Sequence, residues 1–386
     1  MSGNMQSLNI LYGVVGQGMG HATRSAVVLD KLARDGHQIN VVSSGAAYTY
    51  LCDKLSHFHN VHIEEISGFE LVFREEKISV SRTFLRLLQN AGSQLEQNYR
   101  VYHKMLSANF RPDVVFSDFE SWTFLFAKRH GLPLISLDNM QIINRGMHND
   151  VINQANEQEY KLAKRTVKIK NPGAYHYLVT SFFNTEIRKK RTTIVPPIIR
   201  PEILNSTPDR GSHFLVYQSG PLREDLVEIL KSLPQSFVLY GYDEEKKDGN
   251  LQFRRFNEEQ FFTDLVSSRG VLAGGGFSLM SEAISLRIPV LAFPIEKHFE
   301  QELNAHYLKK LGYGDWAHQP SKAAIVRFIN QLGTFRRQLQ EVEHDHNKMT
   351  FQCIDELLED IKMNRYAPNF LGSPSIATYD PLDKCA

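Results

Sequence analysis

Two glycine-rich stretches stand where chemistry can be built. Gly16-Gln17-Gly18-Met19-Gly20-His21 follows an apolar run, and Gly274-Gly275-Gly276-Phe277-Ser278 follows another, each leading into helical spacing. A glycine loop between strand and helix lets backbone N–H groups approach a phosphate closely. The helix N-terminus adds roughly half a positive charge. Ser219-Gly220 is a weaker third candidate. One such loop is an ordinary tight turn of an α/β protein; two, one in each half and each next to polar residues, point to function. Ser278 is suited to cap its helix and, with the N–H groups of Gly275 to Ser278, to hold a diphosphate. Glu282, one turn on, is either a ribose ligand or simply a favourable acid near a helix start. His21 and Asp118 supply groups able to take a proton, since imidazole titrates nearest to neutrality. Each also has a bland reading: His21 braces its loop, and Asp118 caps the helix after it.

Several familiar chemistries do not fit. The first loop reads GxGxG followed by His21, not the GxGxxG of dinucleotide binders. The second strand ends Val42-Ser43-Ser44-Gly45, without the acid that would take ribose hydroxyls. Neither loop has the Gly-Lys-Ser/Thr ending of a P-loop. Cys52, Cys353 and Cys385 are far apart, so neither a disulfide framework nor a CxxC site is expected. His57, His59 and His62 lack an acidic or sulfur partner and read as an exposed strand edge. His344 and His346 are two apart and read as lying on different faces of a helix.

The elements that must position these groups follow a parallel α/β pattern. Strands are expected over 8–15, 38–43, 113–117 and 134–137, then over 213–218, 237–240, 270–273 and 289–294. The proline-punctuated stretch Pro196-Pro197-Ile198-Ile199-Arg200-Pro201 marks the boundary. The expected fold class is α/β, with two Rossmann-like domains facing a central cleft. Residues 1–195 form an acceptor domain and 196–350 a donor domain. A helix over 351–366 crosses back to the first domain, and 367–386 form an extended tail. The 386 residues, 42% hydrophobic and 23% charged, suit two such cores. With 44 basic against 43 acidic side chains the net charge is +1, which gives no sign of a nucleic-acid partner. No basic start precedes Arg24 and no apolar run reaches membrane-spanning length, so a cytoplasmic location is expected.

The run from Gly274 to Pro294, followed by Glu300-Gln301 and Asn304-Ala305, resembles the donor signature of GT-B glycosyltransferases. The likeness is nearest to the family 28 group, the lipid-linked N-acetylglucosaminyltransferases and galactolipid synthases. The loop ending Gly20-His21 is similar to that group's Gly-His loop, although the family's Gly-Gly-Thr-Gly-Gly-His is here Gly16-Gln-Gly-Met-Gly-His. The resemblance implies that Gly275, Gly276, Phe277 and Ser278 meet a diphosphate and Glu282 the ribose. It further implies that Glu300 and Gln301 hold sugar hydroxyls, that Ser219 and Gly220 close over the phosphates, and that Phe256 lies beside the base. Gly18, Gly20 and Glu120 would face the acceptor.

The implied reaction is an inverting, metal-independent transfer from a nucleotide-diphosphate sugar, a UDP-sugar by expectation. No DxD motif occurs in the chain, and helix dipoles with N–H donors can stabilise a departing diphosphate without Mg²⁺. No cofactor or metal is therefore expected. His21 has a modest edge as the base, with Asp118 as rival or as its orienting partner; Glu120 is either an acceptor ligand or solvated. The alternatives are a UDP-sugar 2-epimerase and a non-catalytic nucleotide-sugar-binding protein. A lipid or lipid-linked glycan is a possible acceptor. Peripheral membrane contact would then run through Arg82, Phe84, Leu85, Arg86 and Leu88, which otherwise read as an amphipathic helix on the sheet.

Overall fold

A computed structural model describes residues 7–68, 73–74, 77–78, 92, 96–209, 211–218 and 224–363. The first sheet has seven strands: β1 (Asn9–Val14), β2 (Gln38–Ser43), β3 (Val61–Glu65), β6 (Val114–Asp118), β7 (Leu134–Asp138), β8 (His176–Thr180) and β9 (Thr192–Val195). Between β3 and β6 lies a short antiparallel ribbon of β4 (Phe73–Arg74) and β5 (Lys77–Ile78). The strand order β3-β2-β1-β6-β7-β8-β9 is parallel throughout. The near-continuous apolar runs of β1, β2 and β6 follow from burial on both faces.

The second sheet contains β10 (His213–Tyr217), β11 (Ser236–Tyr240), β12 (Lys246–Asp248), β13 (Leu251–Arg254), β14 (Val271–Ala273), β15 (Val290–Ala292) and β16 (Gly314–Trp316). Its order is β12-β13-β11-β10-β14-β15-β16, with β12 the antiparallel edge. Both sheets reverse direction of growth at one point, between β1 and β6 in the first and between β10 and β14 in the second. Open parallel sheets bind ligands outside the carboxyl ends of the strands at such switch points. The loops containing Gly16–Gly20 and Gly274–Ser278 sit at those two points.

Two helices tie the halves together. The helix Lys348–Lys362 puts Cys353, Ile354, Leu357, Leu358 and Ile361 into the core beneath β1 and β2, and Lys31 pairs with its Asp355. The helix Phe299–Lys310 buries Phe299, Leu303 and Tyr307 against the first domain and Ala305 and Leu308 in the second. Phe183 and Tyr307 stack at 3.8 Å with their planes nearly parallel.

Some details differ from the sequence reading. The crossing helix begins at Lys348 rather than 351. His344 and His346 lie in the loop before it and not on a helix, because the preceding helix ends at Gln340. β3 is an edge strand, with His57 and His59 exposed in the turn that leads to it. Ser219, Gly220, the Arg82–Leu88 stretch and 367–386 fall outside the described residues. Among the described residues no helix is long and apolar enough to cross a membrane.

Candidate active site

His21 lies on the first turn of the helix Met19–Arg34, whose N-cap is Gly18. Asp118 ends the neighbouring strand β6, paired with Val14. The switch point thus brings together two residues 97 positions apart, with His21 Nδ1 2.7 Å from Asp118 Oδ1. The His21 side chain keeps 16% of its surface open and that of Asp118 1%. Among the described residues Nε2 of His21 makes no hydrogen bond. Phe119, held at φ 56°, stacks over the imidazole at 6.2 Å. Positive φ at a bulky residue is strained, and strain of this kind collects where side chains are held for function.

Asp118 does not cap a helix. Its carboxylate accepts from Arg24 Nε at 2.7 Å, from Arg24 Nη2, and from Ser25 Oγ at 2.9 Å. Burial alone would raise its pKa; the Arg24 charge, then His21, outweigh burial and hold it down at about 2. Burial likewise opposes the Arg24 charge, and Asp118 more than offsets it. Arg24 is a site residue that the sequence reading missed. Its spacing from His21, three residues along one helix, puts both on the same face, and that signal was available.

Nδ1 of His21 also lies 2.6 Å from Arg24 Nη2. The two neighbours demand different tautomers. Asp118 requires a proton on Nδ1, which leaves a lone pair on Nε2. Arg24 requires a bare Nδ1, which puts the proton on Nε2.

Glu120 is buried rather than solvated. Its carboxylate accepts from Trp122 N at 2.7 Å, Thr123 N at 2.8 Å and Thr123 Oγ1 at 3.0 Å, so it caps the helix Trp122–His130 and is buried. The capping role assigned to Asp118 belongs to Glu120.

On the opposing wall, β14 runs through Gly274 and Gly275 into the helix Phe277–Ser285. Gly276 is its N-cap, with no side-chain cap, so Ser278 sits inside the first turn rather than capping it. A side chain at Gly275 would strike the Gln301 backbone. One at Gly20 would collide with Ser278, whose Cβ would lie 2.9 Å away. The two loops therefore meet face to face across the cleft. Phe277 is buried and stacks on Phe182 at 6.0 Å, so only its backbone can meet a phosphate.

Gln301 Oε1 accepts from Gly275 N at 3.1 Å and Ile295 N at 3.0 Å, bracing the glycine loop. The bracing uses the amide oxygen, and Nε2 takes no part in it. Glu300 Oε1 accepts from Asn304 Nδ2 at 2.9 Å and, across the cleft, from Asn139 Nδ2 at 3.0 Å. Glu282 is forked by Arg200, Nε to Oε1 at 2.7 Å and Nη2 to Oε2 at 3.0 Å. Arg200 also donates to Glu258 Oε1 at 2.9 Å, and Tyr50 OH to the same oxygen at 3.2 Å. Sequence reading saw the proline punctuation around Arg200 and not its charge. Phe256 is 58% exposed beyond β13, leaning on Phe261 at 5.5 Å. Among the described residues no three His, Cys, Asp or Glu side chains are grouped to hold a metal ion.

Two Rossmann-like domains with facing glycine loops at their switch points are the GT-B arrangement. A family model described as glycosyl transferase family 1 matches residues 8–333, and the chain belongs to that family. The protein is a glycosyltransferase. An uncharacterised glycosyltransferase of Methanosarcina mazei is 27% identical over 351 residues, covering 80% of this chain and 85% of the relative. A UDP-glucosyltransferase from Polygonum tinctorium capable of glucosylating indoxyl is similar at TM-score 0.66 and 17% identity, over 93% of this chain and 100% of that one. Arabidopsis thaliana UGT89C1, complexed with UDP-L-rhamnose, is similar at TM-score 0.66 and 15% identity, over 92% and 100%. At these identities the structural likeness shows the fold. The matching family is family 1; the likeness to family 28 rests on the motifs. Nothing in the comparisons supports the 2-epimerase, and a non-catalytic binding protein is set aside by the family.

Proposed function

We propose that this enzyme transfers a sugar from a UDP-sugar to an acceptor hydroxyl by metal-independent single displacement with inversion. The observation that carries the reading is the His21–Asp118 pair at the cleft, 2.7 Å apart, opposite the glycine loop of the second domain. His21 Nε2 takes the acceptor proton as the acceptor oxygen attacks the anomeric carbon. The bond from that carbon to the diphosphate breaks, and UDP leaves with its electron pair. Backbone N–H groups of Gly275 to Ser278 and the helix behind them stabilise the charge that develops. Asp118 fixes the imidazole and stabilises the imidazolium.

In this reading Glu282 meets the ribose with lone pairs that Arg200 leaves available, since a carboxylate offers about four. Phe256 flanks the base, Glu300 takes a sugar hydroxyl through its second oxygen, and Gly18 and Gly20 line the acceptor side. Ser219 and Gly220 close over the phosphates. The family 28 motifs point to a lipid or lipid-linked acceptor, with contact at the cytoplasmic face of a membrane. Support for the uridine donor comes from relatives of the same fold that are named for UDP-glucose transfer or complexed with UDP-L-rhamnose.

A thermal-shift panel of UDP-, GDP-, dTDP- and CMP-sugars in excess EDTA tests the donor. Binding to the native state alone stabilises by about 2.7 kcal/mol at a ligand concentration of roughly 100 Kd. UDP-sugars are expected to raise Tm most, with EDTA making no difference. A larger rise with another nucleotide, or one that needs added Mn²⁺ or Mg²⁺, overturns the assignment.

A further inference from the structure

Phe119 follows the last residue of β6 and carries φ 56°. The left-handed turn it makes separates Asp118, which Arg24 holds, from Glu120, which caps the helix Trp122–His130. Glycine or asparagine makes such a turn at little cost, whereas a bulky side chain there is strained. The turn alone therefore does not account for a phenylalanine, and what the ring touches has to. The ring is half-buried at the edge of the first domain's core. Its centroid lies 6.2 Å from that of the His21 imidazole, with 23° between the two planes, which is an offset stack. Lys170 Nζ, at the end of the helix Glu157–Lys170, lies 5.1 Å from the same centroid. That cation–π contact ties the phenyl ring in turn to a third element.

The polar contacts of the imidazole, with Asp118 Oδ1 at 2.7 Å and Arg24 Nη2 at 2.6 Å, both fall on Nδ1. A hydrogen bond tolerates tens of degrees of misalignment. Contacts at one ring atom thus leave the imidazole free to tilt about it, and Nε2 sweeps sideways as it does. A flat surface against the imidazole face removes that freedom. We infer that Phe119 is a positioning residue for the base: its ring stacks on the His21 imidazole and holds Nε2 aimed into the cleft, and the strained turn at 119 is retained because it puts an aromatic ring there. The inference rests on the reading of His21 as the base. Tyrosine at 119 keeps the ring face, leucine fills the volume without one, and asparagine keeps the turn with no ring at all.

The test follows UDP release by the full chain from the UDP-sugar that raises its Tm most. Phe119→Tyr, Phe119→Leu and Phe119→Asn are compared, each in the wild type and in the His21→Ala background, with urea midpoints to establish that each variant is folded. Phe119→Tyr is expected to keep kcat within about twofold, because it presents the same ring face. Phe119→Leu and Phe119→Asn should lower kcat about tenfold or more at unchanged donor KM, since misplacing a reacting group by about 1 Å costs up to about 10²-fold. In the His21→Ala background none of the three should lower the residual rate further, because the ring acts through the imidazole; independent effects would multiply. If Phe119→Asn does not fold, Phe119→Gly, which suits the same turn, is read in the same way. A wild-type kcat in Phe119→Leu makes the ring a filler, and one in Phe119→Asn leaves it no part; either overturns the proposal. So does a loss in Phe119→Tyr as large as in Phe119→Asn, a change confined to donor KM, or the same fold-loss in both backgrounds. If His21→Ala leaves UDP release intact, it is the base assignment that has failed.

Discussion

His21→Ala is expected to lower turnover by about 10²–10⁴-fold, the usual contribution of a positioned general base. UDP affinity by calorimetry should be nearly unchanged. The separation follows from where the groups sit. His21 is on the helix that begins the first domain, whereas the diphosphate loop and Glu282 belong to the second. The two walls touch at Gly20 and Ser278, and a truncation at His21 leaves both of those in place. A variant with a normal rate would return His21 to the part of a loop brace. A variant that loses UDP affinity and turnover together would mean that the imidazole holds the donor.

Asp118→Asn is expected to destabilise the fold by about 3–5 kcal/mol, the cost of breaking a buried ion pair from one side. The Arg24 side chain is 4% exposed and would lose the carboxylate that carries its Nε and Nη2 bonds. This goes beyond the loss of an orienting partner for His21, so activity in this variant has to be read well below its midpoint in urea. The pH dependence supplies the sign. With a folded pKa of about 2 against the ordinary 3.8, Asp118 contributes stability that is complete above pH 3.8 and lost as pH falls through 2. Asp138 acts in the opposite direction. Burial first, and then the Asp118 charge, push it up to about 6, so its contribution declines as pH rises from 3.8 toward 6. Urea midpoints across that range should show both limbs in the wild type. Asp118→Asn should lack the acid limb and show a weaker Asp138 limb, because one of the charges raising Asp138 is gone. A loss of under about 1 kcal/mol with both limbs intact would show that Arg24 finds another partner.

The sheets were legible because parallel strands buried on both faces leave runs of apolar residues bounded by glycine and proline. β2 was read to its residue, and β6 and β7 to within one. The glycine loops were legible because they interrupt those runs at the carboxyl end. Strands such as β8 and β9 were not read from the sequence; His176–Thr180 and Thr192–Val195 are short and mix polar with apolar residues. Within the site, the pairing of His21 with Asp118 could be guessed from each ending a strand or opening a helix. The roles of Arg24, Asn139 and Arg200 could not, because each depends on which distant carboxylate or amide the fold brings within 3 Å. Glu120 and Asp118 illustrate the limit: two acids a residue apart differ in role because positive φ at Phe119 turns one toward Arg24 and the other toward the helix N-terminus.

The anomeric configuration of the first product tests the central claim most directly. With an α-linked UDP-sugar and either an acceptor alcohol or water as nucleophile, ¹H NMR at early times reads the configuration before mutarotation. Direct displacement assisted by His21 gives the β anomer, and gives it at a rate that falls with His21→Ala. An α anomer as the first-formed product would contradict single displacement and with it the role assigned to the His21–Asp118 pair.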